Sequence, residues 1–270
     1  MNVWVNGEVL AEAHAHVSVF DHGFTVADGV FETLKVVDGV PFAISRHLER
    51  LQRSAERMGL TPPDLAQLRA GIAEVVPGDL AFGRLRITVT GGPGPLGSER
   101  SNAPLTLVIA VTSATPWPEQ TSLATVPWTR NEHSAIAGVK STSYAENVVA
   151  LQYAHDRGAS EAVFANTAGE LCEGTGTNVF VVVDGEVLTP ALVCGPLAGI
   201  TRELVLEWSD AREARLPASV LRTADEVFIT SSTRDVHPVT KIDERDLSVG
   251  PVTQAIQAEF ARRSALDVDP

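Results

Sequence analysis

The sequence predicts an α+β protein with two domains, and three observations support that prediction. Alternating apolar residues around Asn-Gly and Asp-Gly pairs indicate β-hairpins early in the chain. Other segments have apolar residues three and four positions apart, which is helical spacing. The stretch "TSATPWPEQ" carries two prolines and breaks the composition. We expect a small α+β domain at residues 1–112, a linker at 113–120 and a larger mixed α/β domain at 121–270.

The first domain begins with a predicted hairpin at residues 2–10, and a second hairpin is expected around Asp38-Gly39. Residues 45–60 have the apolar spacing of a helix, with Ser45 as the N-cap and Gly59 as the stop signal. A further helix is expected at "PPDLAQLRAGIAEVV", and strands are expected at "GRLRITVTGG" and "PLTLVIAVTSA".

The second domain mixes strands and helices. The predicted strands are "TSLATVPW", "EAVFANTAGELCEG", "NVFVVVDGEVLTP" and "ADEVFIT". The predicted helices are "SYAENVVALQYAHDRG", "GITRELVLEWSDA" and "PVTQAIQAEFARRSA".

Composition disfavours several classes of function. The 270-residue chain has a net charge of −13, whereas nucleic acids and anionic membranes bind clustered positive charge. It contains no apolar run near the roughly 18 residues of a membrane span, and no signal-peptide pattern. Cys172 and Cys194 do not form a disulfide framework, and no His/Cys cluster has metal-ligand spacing. We expect a cytoplasmic enzyme without a metal, a nucleic-acid partner or a membrane partner.

Lys140 is a candidate nucleophile. It is one of three lysines among 21 Lys and Arg residues, and it lies in the small-residue segment "AIAGVKSTSYAEN". A desolvated lysine amine can form a Schiff base, which an arginine cannot do. The same spacing also fits a lysine in a solvated surface loop. The residue by itself leaves both interpretations open.

Other residues could hold a cofactor that carries a phosphate. Residues 199–201 precede a predicted helix, whose first N–H groups can bind an anion, and three hydroxyl residues follow a strand at 231–233. Arg50 suits a phosphate group, and Glu173 could keep a pyridine nitrogen protonated. Each residue also has an ordinary explanation as a cap, a turn or a surface charge. The motifs alone therefore allow a lysine-centred enzyme with a phosphate cofactor and no more.

Six segments, taken in order, resemble the class IV aminotransferase family. The segments are "FDHGFTVADGVFETLKVVDG", "RHLERLQRSAERMGL", "GVKSTSYAENVVALQYAHDRGASEAVF", "ELCEGTGTNVFVVVDGEVLTP", "LAGITRELVLE" and "ADEVFITSST" followed by "HPV". That family contains pyridoxal 5'-phosphate (PLP) enzymes of fold type IV. The resemblance implies a small N-terminal α+β domain and a larger C-terminal mixed α/β domain with PLP between them. It also implies a homodimer whose partner contributes to the pocket.

The resemblance implies roles for individual residues. Lys140 is similar to the lysine that forms the internal aldimine with PLP and moves the proton, and Glu173 to the glutamate that meets the pyridine nitrogen. The other implied cofactor contacts are Arg50, Asn178, Ile200, Thr201, Ser231 and Ser232. The implied substrate-pocket residues are Phe31, Gly91, Arg130 and Thr233.

The reaction is less well defined than the family. D-amino-acid aminotransferases have an arginine where this chain has Gly91, and that arginine holds the substrate carboxylate. The remaining candidates for the carboxylate are Arg84, Arg86, Arg130, Arg234 and His22. We expect a transaminase that acts on a small or branched apolar amino acid, or an amine, and a keto acid. Because "KSTSYAENVVAL" and "ELCEGTGTNVF" are also similar to 4-amino-4-deoxychorismate lyases, pyruvate release in 4-aminobenzoate synthesis is the alternative. A PLP-binding protein without catalysis is disfavoured because both Lys140 and Glu173 are present.

Overall fold

The computed structural model describes residues 2–270, and the chain forms two compact units. The first unit contains the chain up to Pro116 together with Val139–Ser143 and Val268–Pro270. The second unit contains Trp117–Gly138 and Tyr144–Asp267. The short segment with Lys140 therefore belongs to the first unit, although the chain on both sides of it belongs to the second.

The first unit is organised by a six-stranded antiparallel sheet. Its strands are β1 (Asn2–Val5), β2 (Glu8–Ala11), β3 (Gly29–Val37), β4 (Val40–Pro41), β5 (Phe82–Thr90) and β6 (Thr106–Ser113). Their order in the sheet is β2-β1-β6-β5-β3-β4. Both predicted hairpins are confirmed. Asn6 and Gly7 have φ of 50° and 103°, and Asp38 and Gly39 have φ of 47° and 75°, the positive values that tight two-residue hairpin turns require.

Three helices belong to the first unit: α1 (His22–Thr25), α2 (Ile44–Arg57) and α3 (Leu65–Val75). Leu48 and Leu51 of α2 and Ile72 of α3 pack with Leu34 and Leu85 of the sheet in one buried core. The predicted helix at 45–60 is confirmed, and so is its stop, because Gly59 follows the helix with φ of 72°.

The predicted N-cap of α2 is wrong. The N-cap is Ala43, which has φ of 53° and no capping side chain. Ser45 is the second residue of the helix, and its N–H donates to the carboxylate of Asp269 at 2.8 Å. Ala43 N–H donates to the carbonyl of Val268 at 2.7 Å. A segment distant in sequence thus supplies the acceptors that a local Ser, Thr, Asp or Asn side chain usually provides.

The second unit contains a nine-stranded mixed sheet and three helices. The strands are β7 (Thr121–Arg130), β8 (Glu161–Asn166), β9 (Leu171–Gly174), β10 (Asn178–Val183), β11 (Glu186–Pro190), β12 (Arg212–Ala214), β13 (Glu226–Ser231), β14 (Asp235–Ile242) and β15 (Arg245–Asp246). The helices are α4 (Ala145–His155), α5 (Ile200–Trp208) and α6 (Pro251–Leu266). The main path is β12-β11-β10-β13-β14-β7-β8-β9, and β15 pairs with β14.

The helices and strands predicted in the second unit are confirmed, but β14 was not predicted. Pro238 lies within this strand and pairs with Phe228 of β13. Proline in a sequence argues against a central strand, since it cannot donate a ladder hydrogen bond. Helices α5 and α6 pack against β13, and α6 also packs against β14. No helix in the described part of the chain, residues 2–270, combines the length and apolar character needed to cross a membrane.

Replacing Asp269 with alanine should destabilise the protein by about 0.5–2 kcal/mol, the usual cost of losing a helix cap. The Asp269 carboxylate accepts hydrogen bonds from the backbone N–H and the hydroxyl of Ser45, at 2.8 and 2.5 Å. Urea unfolding followed by circular dichroism measures the change. Asp269→Asn, which keeps a side-chain oxygen, is the control and should retain most of the stability. Equal stability of the alanine variant and the parent would contradict this account of the cap.

Candidate active site

The main chain beside Lys140 is held against strand β3. Phe31 N–H donates to the carbonyl of Lys140 at 3.0 Å, and Thr142 N–H donates to the carbonyl of Gly29 at 2.8 Å. Gly29 permits this close approach, because a Cβ there would lie 2.8 Å from a main-chain oxygen of β5 and 3.1 Å from Thr142 Oγ1. These two hydrogen bonds flank Ser141, the next residue, and hold the main chain on the C-terminal side of Lys140 against β3.

The side chain of Lys140 is half-buried, and its amine lies over an aromatic ring. Nζ is 4.4 Å from the centroid of the buried Phe31 ring, within the range of a cation–π contact. This geometry does not fit a fully solvated lysine in a surface loop, which was one of the two interpretations of Lys140. The structure therefore joins the predicted nucleophile and the predicted substrate-side aromatic residue in one contact within the first unit.

Arg50 forms a buried ionic cluster with Glu32 and His47. Arg50 Nε and Nη2 donate to the two carboxylate oxygens of Glu32, both at 2.7 Å. His47 Nδ1 lies 2.6 Å from Oε2 of the same carboxylate. Arg50 and His47 are three positions apart on α2 and so share one helix face. The cluster fixes the guanidinium, whose remaining nitrogen, Nη1, takes no part in the fork with Glu32.

The charge state of this cluster follows from its burial and its partners. Burial, the largest influence on Glu32, disfavours its anion, yet the charges of Arg50 and His47 and their hydrogen bonds outweigh it and hold the pKa well below the usual range. Burial lowers the pKa of His47, and the charges of Arg50 and Lys140 act in the same direction against the attraction of Glu32. A neutral His47 that donates Nδ1–H to an ionised Glu32 is therefore the state near neutral pH.

Gly91 occupies a position where a side chain does not fit without rearrangement. A Cβ there would lie 2.6 Å from Oδ2 of Asp28. Asp28 cannot move freely, because Nε and Nη2 of Arg100 hold its two oxygens at 2.7 and 2.6 Å. Arg100 also donates to the carbonyls of Met58 and Gly59 after the end of α2. The Asp28–Arg100 pair thus fills the space that a side chain at position 91 would need.

In the second unit, the main chain of Leu197 connects two of the predicted cofactor residues. Leu197 N–H donates to Oε2 of Glu173 at 2.9 Å. The carbonyl of the same residue accepts a hydrogen bond from Nδ2 of Asn178 at 2.8 Å. Glu173 is at the end of β9 and Asn178 begins β10. One peptide segment therefore orients both side chains.

The same segment leads into α5, whose N-terminus lacks a side-chain cap. Its N-cap is Gly199, and a Cβ there would lie 2.0 Å from Oδ1 of Asn178. Ile200 and Thr201 form the first turn of the helix, and both are buried. Asn178 also pairs with Thr230 across β10 and β13, immediately before Ser231. Strand pairing and the loop before α5 thus gather these predicted residues around Asn178.

Ser232 and Thr233 lie in the turn between β13 and β14, together with Arg234. The hydroxyl of Thr233 accepts a hydrogen bond from Trp117 Nε1 at 3.3 Å. The guanidinium carbon of Arg234 lies 3.6 Å from the centroid of the Trp117 ring. Arg234 also donates to Thr121 Oγ1 at 3.2 Å. The turn that follows Ser231 is therefore supported by the segment at the start of the second unit.

Arg130, predicted as a substrate-pocket residue, contacts Glu173. Its Nε is 3.6 Å from Oε1 of Glu173, and its Nη1 forms a close ion pair with Glu146. Its Nη2 donates to Asn147 Oδ1 at 2.9 Å. The guanidinium also lies over the ring of Phe164, at 4.3 Å. The positive charge of Arg130 therefore lies next to the carboxylate of Glu173.

Sequence reasoning missed Glu32, His47 and Leu197. Glu32 had a detectable signal, because it is an acidic residue at a core-facing position of the apolar strand "GVFETLKVV", and such a position requires a partner. His47 precedes Arg50 by three residues, the spacing of neighbours on a helix. Leu197 acts through its peptide groups, which no side-chain pattern reveals.

The family of the chain follows from comparison with known proteins. The family model for amino-transferase class IV matches residues 29–242. The chain belongs to that family, and it is a PLP-dependent enzyme of the transaminase class.

Three relatives illustrate the range of the family. A branched-chain aminotransferase of Thermoproteus uzoniensis, solved with norvaline, superposes with a TM-score of 0.91 and 29% identity over 97% of this chain and 94% of the other. A D-alanine aminotransferase of Staphylococcus epidermidis is 30% identical over 96% of each chain. An aminodeoxychorismate lyase of Bacillus subtilis is 28% identical over 96% of this chain and 94% of the other. The confirmed fold type IV architecture is thus shared by enzymes with different reactions.

Each unit contains groups that fit part of PLP. In the second unit, the α5 N-terminus lacks a capping side chain and begins at a glycine where a Cβ would collide with Asn178, which suits a bound phosphate. The Glu173 carboxylate, held by Leu197 N–H and beside Arg130, suits a protonated ring nitrogen. In the first unit, the guanidinium of Arg50 is held by Glu32 and is always charged, which suits a phosphate.

Replacing His47 with glutamine should flatten the pH dependence of stability below neutral pH. The native pKa of His47 is lowered, so the unfolded chain, with a histidine pKa of about 6.5, binds the extra proton first as the pH falls. Native stability contributed by neutral His47 is present above about pH 6.5 and is lost as the pH falls through its lower native pKa. Urea unfolding at about pH 7.5 and about pH 5.5 measures the slope. His237, whose pKa is lowered by burial and Arg234, remains in the variant, so the slope should decrease without vanishing. An unchanged slope would contradict the assignment.

Replacing Gly91 with alanine should destabilise the protein by about 1–3 kcal/mol, because the new Cβ displaces Asp28 from Arg100. Gly97→Ala is the matched control in the same loop, since a Cβ there meets nothing within 4 Å. The destabilisation by Gly91→Ala should be smaller when Asp28 is already alanine, which a double-mutant cycle measures. Additive effects of the two substitutions would show that Asp28 is not what restricts position 91.

Proposed function

We propose that this chain transfers the amino group of a small or branched apolar amino acid to a keto acid, with Lys140 as its catalytic amine. Arg50, Asn178, Ile200, Thr201, Ser231, Ser232 and Glu173 hold the cofactor in this proposal. The observation that carries it is the environment of Lys140. Its carbonyl accepts a hydrogen bond from Phe31 of β3, Thr142 binds the same strand, and the amine of the half-buried Lys140 contacts the Phe31 ring.

Each proposed cofactor residue has a distinct task. Arg50, with its position set by Glu32 and His47, provides a fixed positive charge for the phosphate. The first N–H groups of α5, at Ile200 and Thr201, add donors and the positive end of the helix dipole. Glu173 provides a negative charge that keeps the ring nitrogen protonated. A positive charge thus suits the phosphate of the cofactor, and a negative charge suits its ring nitrogen.

Lys140 has two tasks in sequence. Its amine would hold PLP at the carbonyl carbon of the cofactor. The same Nζ would be the general base that takes the proton from the substrate Cα, and the general acid that gives it back. PLP, when bound, supplies an electron-withdrawing ring that stabilises the negative charge developing at the substrate carbon. The hydrogen bond from Phe31 N–H to the carbonyl of Lys140 holds the main chain from which this side chain extends.

The proposed substrate class is supported by the relatives. The structure of the Thermoproteus uzoniensis enzyme contains norvaline, an unbranched apolar amino acid, and the Staphylococcus epidermidis enzyme is named for D-alanine. Both are small and apolar, but they belong to enzymes with different names. We propose the size and polarity of the substrate on this basis, and leave its configuration to experiment.

Pyruvate release from 4-amino-4-deoxychorismate is the second candidate function. The Bacillus subtilis lyase matches nearly the whole chain at 28% identity, close to the 30% of the D-alanine aminotransferase. Both reactions use the same lysine and the same cofactor residues in this proposal. The difference lies in which bond of the substrate breaks, so a direct assay is needed to choose between them.

We propose a cytoplasmic homodimer. Several large apolar side chains of the chain are exposed, a pattern typical of a protein–protein interface. They include Phe20, Phe24 and Leu96 in the first unit and Val148 and Val149 in the second. A subunit interface would cover such groups and could bring partner residues to the pocket.

The purified holoenzyme should convert its cofactor to the amino form when a single amino donor is added without a keto acid. Absorbance of the cofactor follows this half-reaction for alanine, valine and norvaline in both configurations. No response to any donor, together with pyruvate release from aminodeoxychorismate, would overturn the transaminase proposal and establish the lyase.

Lys140→Ala should abolish borohydride trapping of the cofactor and the half-reaction. Lys241→Ala is the matched control, since Lys241 is another of the three lysines and is exposed at the far end of β14. Mass spectrometry of the trapped protein locates the modified residue. Trapping that persists in the Lys140 variant would mean that a different amine holds the cofactor.

A further inference from the structure

The sheet of the first unit has two chemically different faces. Side chains of successive residues in a strand point to opposite faces. In β5, Leu85, Ile87 and Val89 belong to the core with α2 and α3, so Arg84 and Arg86 lie on the face away from those helices. In β3, Leu34 belongs to that core, so Phe31, Thr33 and Lys35 also lie on the other face. We call this second surface the outer face.

The outer face of β3 and β5 is positively charged. Among the described residues of these two strands it carries Lys35, Arg84 and Arg86, and it carries no Asp or Glu, because Glu32 points to the helices. The amine of Lys140 adds a further basic group over Phe31. Such a concentration of basic groups is unexpected in a chain with a net charge of −13. It favours an anionic ligand at this surface.

Arg86 is the basic residue of this face that shares a contact with Lys140. Its guanidinium carbon lies 3.7 Å from the centroid of the Phe31 ring, and Lys140 Nζ lies 4.4 Å from the same centroid. The guanidinium carbon of Arg86 and the amine nitrogen of Lys140 are therefore no further apart than the sum of those two distances. Arg86 Nε donates to Thr88 Oγ1 at 3.3 Å, which orients the guanidinium on the ring.

We propose that Arg86 binds the carboxylate of the substrate, and that the enzyme therefore selects amino acids and keto acids over plain amines. This inference rests on the proposed function, in which Lys140 reacts with the substrate. In an amino acid the amino group and the carboxylate are attached to the same carbon, so a cation near the reacting amine can reach the carboxylate. A guanidinium suits that task, because its planar donors match the two oxygens of a carboxylate.

The other basic candidates have contacts that direct them elsewhere. Lys35 Nζ lies 4.6 Å from the Phe42 ring, and Arg84 is opposite Lys35 in the strand register, further from Phe31 along the sheet than Arg86 is. In the second unit, Arg130 contacts Glu173 and Glu146, and Arg234 lies on Trp117. His22 Nε2 lies 2.9 Å from the carbonyl of Pro95. Arg86 is thus favoured by its position beside the ring that Lys140 contacts, and not by charge alone.

The test compares Arg86→Gln with Arg84→Gln in the holoenzyme. Arg84 is the matched control, because it is an exposed arginine two residues away on the same face of β5. The probe is valerate, which has the carboxylate and chain of norvaline without the amino group. We expect Arg86→Gln to weaken valerate binding about 10- to 100-fold, the usual effect of losing a hydrogen-bonded charge, and Arg84→Gln to change it less than about threefold. Titration with valerate, followed by the change in the absorbance spectrum of the cofactor, measures the dissociation constant of valerate.

The half-reaction gives a second readout. Arg86→Gln should lower kcat/KM for norvaline by a similar factor, mostly through KM, and should leave the reaction with butylamine, which lacks the carboxylate, unchanged. Cofactor content and unfolding midpoint should match the parent. Equal weakening by both variants, an unchanged valerate affinity, or equal losses with norvaline and butylamine would each overturn the role of Arg86. Failure of the proposed function is distinguishable, because the parent enzyme itself would then respond to no amino donor.

Discussion

The alternation of side chains along strand β3 is the constraint on which the first unit's part of the site depends. Phe31 lies on the outer face and contacts the amine of Lys140, while the next residue, Glu32, lies on the helix face and binds Arg50 and His47. A shift of the strand by one residue would exchange these two faces. The buried carboxylate would then lie on the outer face and the ring would enter the core. The register of β3 against β5, continuous from Gly29 to Val37, thus keeps the lysine and the arginine in their separate environments.

Burial of the ionic cluster of Glu32, Arg50 and His47 on the helix face costs desolvation free energy. An ionised carboxylate inside a protein is tolerated only when its oxygens are paired and hydrogen-bonded. Glu32 is fully buried and has contacts from both Arg50 and His47. A buried cluster of this kind contributes little net stability compared with apolar packing, but it orients its members strictly. Orientation of a guanidinium is what recognition of a phosphate requires, so the cost is consistent with a functional role.

Much of the fold could be predicted because its signals are local. The hairpins at Asn6-Gly7 and Asp38-Gly39 follow from turn residues that adopt positive φ, and the longer helices follow from apolar spacing. The candidate site residues were reached through an ordered resemblance, and in the second unit they gather around Asn178 and Leu197. What could not be predicted is non-local or carried by the main chain. Pro238 argued against strand β14 in the sequence. The N-cap of α2 depends on Asp269, which is remote in the chain. The link between Glu173 and Asn178 runs through a peptide group, which has no side-chain signature.

The cap of α2 has a consequence for how the protein forms in the cell. Ser45 and Asp269 are separated by 224 positions in the chain, and the segment with Lys140 is also remote from the strand that holds it. A ribosome releases the chain from its N-terminus onwards, so the first unit emerges long before the residues that complete it. Helix α2, which contains Arg50 and His47, lacks the acceptors of Val268 and Asp269 until residues 268–270 have been synthesised. The cap of the helix that carries Arg50 therefore forms late in the synthesis of residues 1–270.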